Sequence, residues 1–288
     1  MQQFVLHGAD GAQLAAFKSL PAGNPRAIVQ IAHGMAEHFA RYGHLTHALN
    51  GAGYGVYGGD HRGHGKSVDV HGRGNFGPGG FAAVVDDMAT LAKVARRDHP
   101  GLPLILLGHS MGSFAAQLYL LQHSSDLAAL VLSGTAALDK LLAHMMSSTA
   151  APGLNVMNAN FEPARTGFDW LSRDETEVDL YVADPLCGFD LEPASLQSLF
   201  GSGDLGRSDA RLTHVHKALP IYIISGAFDP VVGPEQSFAR ALIASYEAAG
   251  LNNITHRVYP GGRHEMFNET NRREVEKDLI AWLEAAVR

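Results

Sequence analysis

Six short runs punctuate this chain: AIVQIAHG (27–34), GYGVYGGD (53–60), PLILLGHS (103–110), LAALVLSG (127–134), PIYIISGAFD (220–229) and ITHRVYPGG (254–262). Each is mostly apolar and bounded by Gly or Pro. A strand with one wet face alternates polar and apolar residues, whereas near-continuous apolar runs belong to strands covered on both faces. Between the runs, Phe81, Val84, Val85, Met88, Leu91, Ala92 and Ala95 recur at helical spacing, as do Val275, Leu279, Trp282, Leu283 and Ala286. Strand and helix alternate, which predicts a mostly parallel sheet with helices on both faces. The opening FVLHGADGAQLAAFKSL adds a hairpin turned at Asp10-Gly11, a dipeptide that tolerates positive φ. The total is about eight strands.

One region breaks the alternation. From the end of the fourth run to Pro220 there is no buried-strand pattern, only helical pieces such as AALDKLLAHMM and acidic, proline-containing stretches. A plain crossover needs only a dozen or so residues. The reading is a core domain of residues 1–135 and 217–288, with 136–216 inserted as a cap over the C-terminal edge of the sheet. Open α/β sheets bind ligands at that edge.

Composition excludes whole classes of partner. With 22 basic against 29 acidic side chains and a net charge of -7, the chain has no footprint for nucleic acid and no attraction to anionic membranes. No apolar run approaches the roughly 18–20 residues of a transmembrane helix. The single cysteine, Cys187, cannot form an internal disulfide, and MQQFVLHGADG has neither a basic start nor a long apolar stretch. The expected location is the cytoplasm. The oligomeric state is not readable.

The third run ends in Gly108-His109-Ser110-Met111-Gly112, followed by the helical SFAAQLYLLQH. Strand, tight turn and helix form the context in which G-x-S-x-G becomes a nucleophile elbow, with the serine Oγ projecting from a strained tip. A serine hydroxyl needs a base within hydrogen-bond reach and an acid to orient that base. Asp229 and His264 follow the next two runs in the order this elbow uses, each just past the C-terminal end of a strand. They complete a Ser110, Asp229, His264 triad. Acyl transfer also needs two N–H donors for the developing oxyanion. Met111, first in the helix, supplies one; Met35, in the loop His33-Gly34-Met35-Ala36-Glu37-His38, supplies the other.

Sixteen histidines raise the question of a metal. None forms H-E-x-x-H or a Cys-rich zinc pattern, and HGMAEH has the wrong spacing, so neither metal nor cofactor is expected. Asp60-His61-Arg62-Gly63-His64-Gly65 reads as a loop held by its own hydrogen bonds. Cys187 reads as a small buried hydrophobe.

Together HGMAEHFARY (33–42), DHRGHGKS (60–67), GHSMGS (108–113), SGAFDPVV (225–232) and YPGGRHEMFNE (259–269) resemble the monoacylglycerol lipase and lysophospholipase branch of the α/β-hydrolases, including bacterial members. LSRDETEVDLYVADPLCG (171–188) is similar to cap sequence of bacterial members. The resemblance implies an α/β-hydrolase fold, the same triad, the Met35 and Met111 amides as oxyanion hole, and Glu37 and Arg41 near the polar head of the bound ester.

The combined reading is a cofactor-independent serine esterase for single-chain acyl esters, able to touch lipid aggregates transiently. LDKLLAHMM and the nearby GLNVM supply apolar cap surface, and Met145 and Met146 suit irregular alkyl chains. Three rivals share the fold. A small-ester esterase or iminopeptidase-like peptidase is one, with Glu162, Asp169, Asp174, Glu175, Glu177 and Asp179 available to hold a substrate ammonium. An acyltransferase and a non-catalytic ligand-binding protein are the others.

Overall fold

The computed structural model describes residues 1–68, 71–147, 154–203 and 210–287, with backbone only at 154–156. Eight strands form one sheet: β1 (Gln2–His7), β2 (Gln13–Ser19), β3 (Ala27–Ala32), β4 (Tyr54–Gly59), β5 (Leu104–His109), β6 (Ala129–Ser133), β7 (Ile221–Gly226) and β8 (Ile254–Tyr259). Their order is β1-β2-β4-β3-β5-β6-β7-β8. The first hairpin pairs antiparallel, Val5 opposite Ala15, and β2 pairs antiparallel with β4; every other pair is parallel. All residues of β3, β5, β6 and β7 are buried, as their unbroken apolar runs require. On the edge, β8 alternates Ile254, His256 and Val258 with more exposed residues.

Helices cover both faces. On one, α2 (Gly80–Asp98), α3 (Met111–His123) and α7 (Ser237–Ala248) bury Phe81, Val84, Leu118 and Leu242 in a core shared with Ile28, Leu106 and Ile223. On the other, α1 (Gly43–Gly51) and α8 (Arg272–Ala286) bury Leu45, Leu49, Val275, Leu279 and Leu283 against Val29, Ile105 and Val131. Alternate residues of one strand thus feed opposite cores. That is the expected doubly covered sheet.

Between β6 and β7 the described residues form no strand. They hold α4 (Leu138–Ser147), α5 (Glu175–Ala183), α6 (Pro193–Gly201) and short 3-10 turns. Asp174 caps α5 by accepting from Thr176 N at 3.2 Å, and Pro193 opens α6 where its missing N–H costs nothing. The loop before α2 and the start of α2 donate to α6, from Phe76 N to Ser195 Oγ (2.9 Å) and from Phe81 N to Ser198 Oγ (3.1 Å). Residues 169–173 fasten to the loop after β8. Glu265 N donates to Leu171 O at 2.7 Å, Ser172 Oγ to Asn268 O at 2.8 Å, and Arg173 Nε to Glu269 Oε2 at 2.9 Å.

Candidate active site

Ser110 sits between β5 and α3 at φ 52°, ψ -121°, a strained conformation for a residue with a side chain. Gly108 and Gly112 allow it. A Cβ on Gly108 would lie 2.4 Å from Gly112 O, and one on Gly112 would lie 2.2 Å from Ala32 O. The first turn of α3 therefore presses onto the end of β3, which no larger residue permits. Ser110 N donates to Ser133 O at 2.9 Å, and Ser113 Oγ donates to Ser110 O at 2.6 Å, pinning the turn from both sides.

The structure brings all three expected partners to one edge. His264 Nδ1 lies 2.9 Å from Asp229 Oδ1, which also accepts from Val231 N at 2.9 Å. A carboxylate oxygen can only accept, so His264 carries its proton on Nδ1 and leaves Nε2 as the free base. His264 Nε2 is buried and has no hydrogen-bond partner among the described residues. With Ser110 it borders a recess of about 20 Å³, also lined by Met35, Glu37, Trp170 and Tyr181. Gly134 makes room for the imidazole: a Cβ there would fall 2.7 Å from His264 Cε1.

Burial pulls the His264 pKa down, but the charge and hydrogen bond of Asp229, helped by Glu265 and Glu37, outweigh it and the net shift is upward. Its ring is flanked by Trp170, 4.8 Å away between centroids, and by His109, 4.6 Å away. His109 is driven down to about 3 by burial and by the neighbouring His264, so it stays neutral.

Met35 and Met111 meet Ser110 at the wall of a cavity of about 300 Å³. Met111 is the first residue of α3, so its N–H belongs to the helix terminus where partial positive charge gathers. Ala36, next to Met35, has φ 55°, and its carbonyl accepts from Gly188 N (2.9 Å) and Tyr181 Oη (3.0 Å). Those bonds hold the strained loop. The remaining wall is almost wholly apolar: Phe114, Leu138, Leu141, Met145, Leu199 and Phe200 contribute to it, and Asp190 is its one charged member. A second cavity of about 610 Å³, between α4 and the loop after β7, shares Leu141, Met145 and Met157 with the first.

Among the expected substrate-contacting residues, the structure departs from the sequence expectation at Met146. Glu37 borders the small recess, yet its oxygens are engaged: Oε1 accepts from Gly34 N and from Tyr42 Oη (2.8 Å), and Oε2 from Arg41 at 3.0 Å. Arg41 lines neither cavity; it makes a two-pronged pair with Glu265 beneath the site. Hydrogen bonds within this buried cluster hold both side chains in place. Met145 lines both cavities, whereas Met146 is 77% exposed and lines neither. Helix α4 turns one methionine inward and its neighbour out. Of the GLNVM stretch only the Met157 side chain is described.

The suggested ammonium-binding acids are spoken for elsewhere. Asp169 accepts from Arg165 N and Thr166, Asp174 from Arg272, Asp179 from Arg165, and Glu162 from Ala164 N; none of the six lines the cavity at Ser110. The Asp60–Gly65 loop is held as expected, Asp60 accepting from Phe39 N (3.0 Å) and Lys66 N (2.8 Å). Sequence reasoning passed over Trp170, Tyr181 and Glu265. Glu265 follows His264 directly, but its partner Arg41 is 224 positions away.

The family model described as serine aminopeptidase, S33 matches residues 23–271. The chain belongs to that family. This S33 member is 33% identical to the monoacylglycerol lipase of Mycolicibacterium smegmatis over 96% of this chain and 94% of the relative. It is 30% identical to the human monoglyceride lipase, covering 92% and 88%. Among solved structures, a thermostable carboxyl esterase from Bacillus coagulans in complex with glycerol superposes with a TM-score of 0.87, at 30% identity over 100% of this chain and 99% of that one. The fold is the α/β-hydrolase fold, and this S33 chain is a serine-type hydrolase of carboxylic esters. No helix among the described residues is long and apolar enough to cross a membrane.

Proposed function

We propose that the chain hydrolyses single-chain acyl esters of the monoacylglycerol class through an acyl-enzyme on Ser110. The observation that carries this reading is the apolar cavity of about 300 Å³ that starts at Ser110. A water molecule's share of liquid volume is about 30 Å³, so the cavity has room for roughly ten water-sized groups, a medium acyl chain. Its lone acid, Asp190, gives poor support to the recognition of a substrate ammonium.

In this mechanism the ester carbonyl carbon is attacked by Ser110 Oγ as His264 Nε2 takes the hydroxyl proton. The oxyanion is met by the N–H groups of Met35 and Met111. His264 then protonates the departing alcohol. A water molecule, deprotonated by the same nitrogen, attacks the acyl-enzyme, and collapse frees the acid and restores Ser110. Asp229 keeps the proton on Nδ1 and stabilises the imidazolium. Glu37 acts one step back, holding the Gly34 N–H so that the next amide faces the substrate.

Residues 136–216 serve as the cap of this reading, on a core of 1–135 and 217–288, because they supply most of the acyl wall. Met146 and Phe228, 77% and 65% exposed, offer apolar contact to lipid aggregates. The lone cysteine supports a cytoplasmic setting. The experiment is a series of p-nitrophenyl esters of increasing length, assayed beside a monoacylglycerol, a lysophospholipid and an aminoacyl amide. Preference for the amide would replace this reading by the peptidase.

A further inference from the structure

His38, Asp184 and Cys187 converge from two distant parts of the chain. His38 ends the Met35 loop after β3, and Asp184 and Cys187 follow α5. One donor atom from each, an imidazole nitrogen, a carboxylate oxygen and the thiol sulfur, lie within 4.8 Å of one another. His38 Nε2 and Asp184 Oδ2 are already 2.9 Å apart. The backbone is fixed around them: Gly188 N donates to Ala36 O at 2.9 Å, Cys187 N to Asp184 O at 3.0 Å, and Leu186 N to Asp184 Oδ1 at 2.8 Å. The last bond leaves the other carboxylate oxygen, Oδ2, aimed at His38.

We propose that His38 Nε2, Asp184 Oδ2 and Cys187 Sγ form a binding site for a zinc-class divalent transition-metal ion, which clasps the segment after α5 to the loop after β3. Mixed nitrogen, oxygen and sulfur donors are the set zinc takes, and alkaline-earth ions, which prefer oxygen alone, do not compete for it. Three protein ligands leave a fourth position for water. In a tetrahedral site the ligand atoms stand about 3.5 Å apart, so on binding the 2.9 Å His38–Asp184 pair opens by roughly 0.5 Å while the thiol, within 4.8 Å of both, closes by up to about 1 Å. The side chain of Asp184 is 31% exposed, which gives the ion a path from solvent, and that of His38 is 11% exposed, which shelters the bond it makes. Leu186 N supplies the outer hydrogen bond that orients a ligating carboxylate.

The proton balance is simple. The ion replaces the thiol proton of Cys187, which leaves to solvent, while the His38 ring moves its remaining proton to Nδ1. The charge of Arg41 nearby is met by Glu37 and Glu265, so it does not oppose the cation. No local spacing in the sequence announces this site, because His38 and Asp184 are 146 positions apart.

Cobalt(II) titrated into the metal-free full chain tests the proposal without reference to catalysis. Cys187 is the only cysteine, so any thiolate-to-cobalt charge-transfer band reports on this sulfur alone. The expected result is one such band, saturating at one ion per chain, displaced by zinc but not by magnesium, and absent from Cys187→Ser. His38→Gln and Asp184→Asn, checked for folding by circular dichroism, should each weaken cobalt binding on the order of tenfold or more. Absence of the band in the folded wild-type chain overturns the site. So does a band of unchanged affinity in both His38→Gln and Asp184→Asn, which would mean that the thiol binds the ion alone.

Discussion

The indole of Trp170 lies 4.8 Å from the imidazole of His264, inclined at 36°, and the Trp170 carbonyl accepts the His264 backbone N–H at 3.3 Å. One residue of the segment between β6 and β7 thereby fixes both the ring and the main chain of His264. Trp170 is also buried, so Trp170→Ala should leave a void and cost about 3–5 kcal/mol in urea unfolding. Trp170→Phe keeps a ring over His264 and should recover most of the lost kcat. Equal activity in the two folded variants would show that the ring contact has no catalytic consequence.

Removing the nucleophile is the most direct test of the triad. Ser110→Ala should lower kcat on the order of 10⁴-fold or more, with unfolding unchanged. Asp229→Asn should cost a similar factor, because the amide can donate to Nδ1 and so favours the wrong tautomer. A nearly wild-type Asp229→Asn would remove Asp229 from the triad.

The upward shift of His264 sets a pH dependence. The reaction needs Nε2 unprotonated, so kcat/KM should rise with pH through a midpoint above the ordinary histidine value of 6.5. The stability contribution runs the other way. A group whose folded pKa is raised stabilises below its unfolded pKa and loses that contribution as pH climbs through the folded value. In Asp229→Asn the residual activity should have its midpoint shifted down, since burial then acts with less opposition. A pH profile of the variant that stays at the wild-type midpoint would refute this origin of the shift.

Arg41 offers a test of the buried charges. Its guanidinium faces Glu37 and Glu265, both within a few percent of full burial. Burial raises the Glu37 pKa, whereas Arg41 overcomes burial at Glu265 and holds it down to about 2. Arg41→Met should cost about 3–5 kcal/mol, because it strands a charge that burial had made dependent on its partner. Adding Glu265→Gln should restore part of the loss. A singly substituted protein as stable as wild type would show that these groups are already neutral.

What the sequence discloses follows from the range of each interaction. The six strands after the hairpin and the turn at Ser110 are legible because they rest on local patterns: apolar runs, glycines and the order of elements. Burial on both faces, expected for all six, fails at the edge strand β8, where only Tyr259 is buried. The gathering of Ser110, Asp229 and His264 is legible because each stands just past a strand end, where topology alone brings it to the same edge. Glu37 and Arg41 show the limit. Family motifs mark these positions as close to the ester, but only the fold reveals that Glu265 and Tyr42 consume their hydrogen bonds. The inward turn of Met145 and outward turn of Met146 are likewise decided by what packs on α4, which helical periodicity without tertiary neighbours does not specify.

That difference between adjacent methionines gives the sharpest test of substrate. Each methylene buried by an acyl chain contributes about 0.8 kcal/mol, so kcat/KM should climb roughly three- to fourfold per CH₂ until the cavity at Ser110 is full. With room for on the order of ten groups, the rise should level off at medium chain length. Met145→Glu places a carboxylate in the apolar wall and should flatten the climb, reducing long esters far more than acetate. Met146→Glu, on an exposed side chain, should leave the profile in place. The triad is common to every ester in the series, so a change in slope must come from the wall. A wild-type profile that peaks at two carbons and ignores Met145→Glu would end the long-chain reading and leave a small-ester hydrolase.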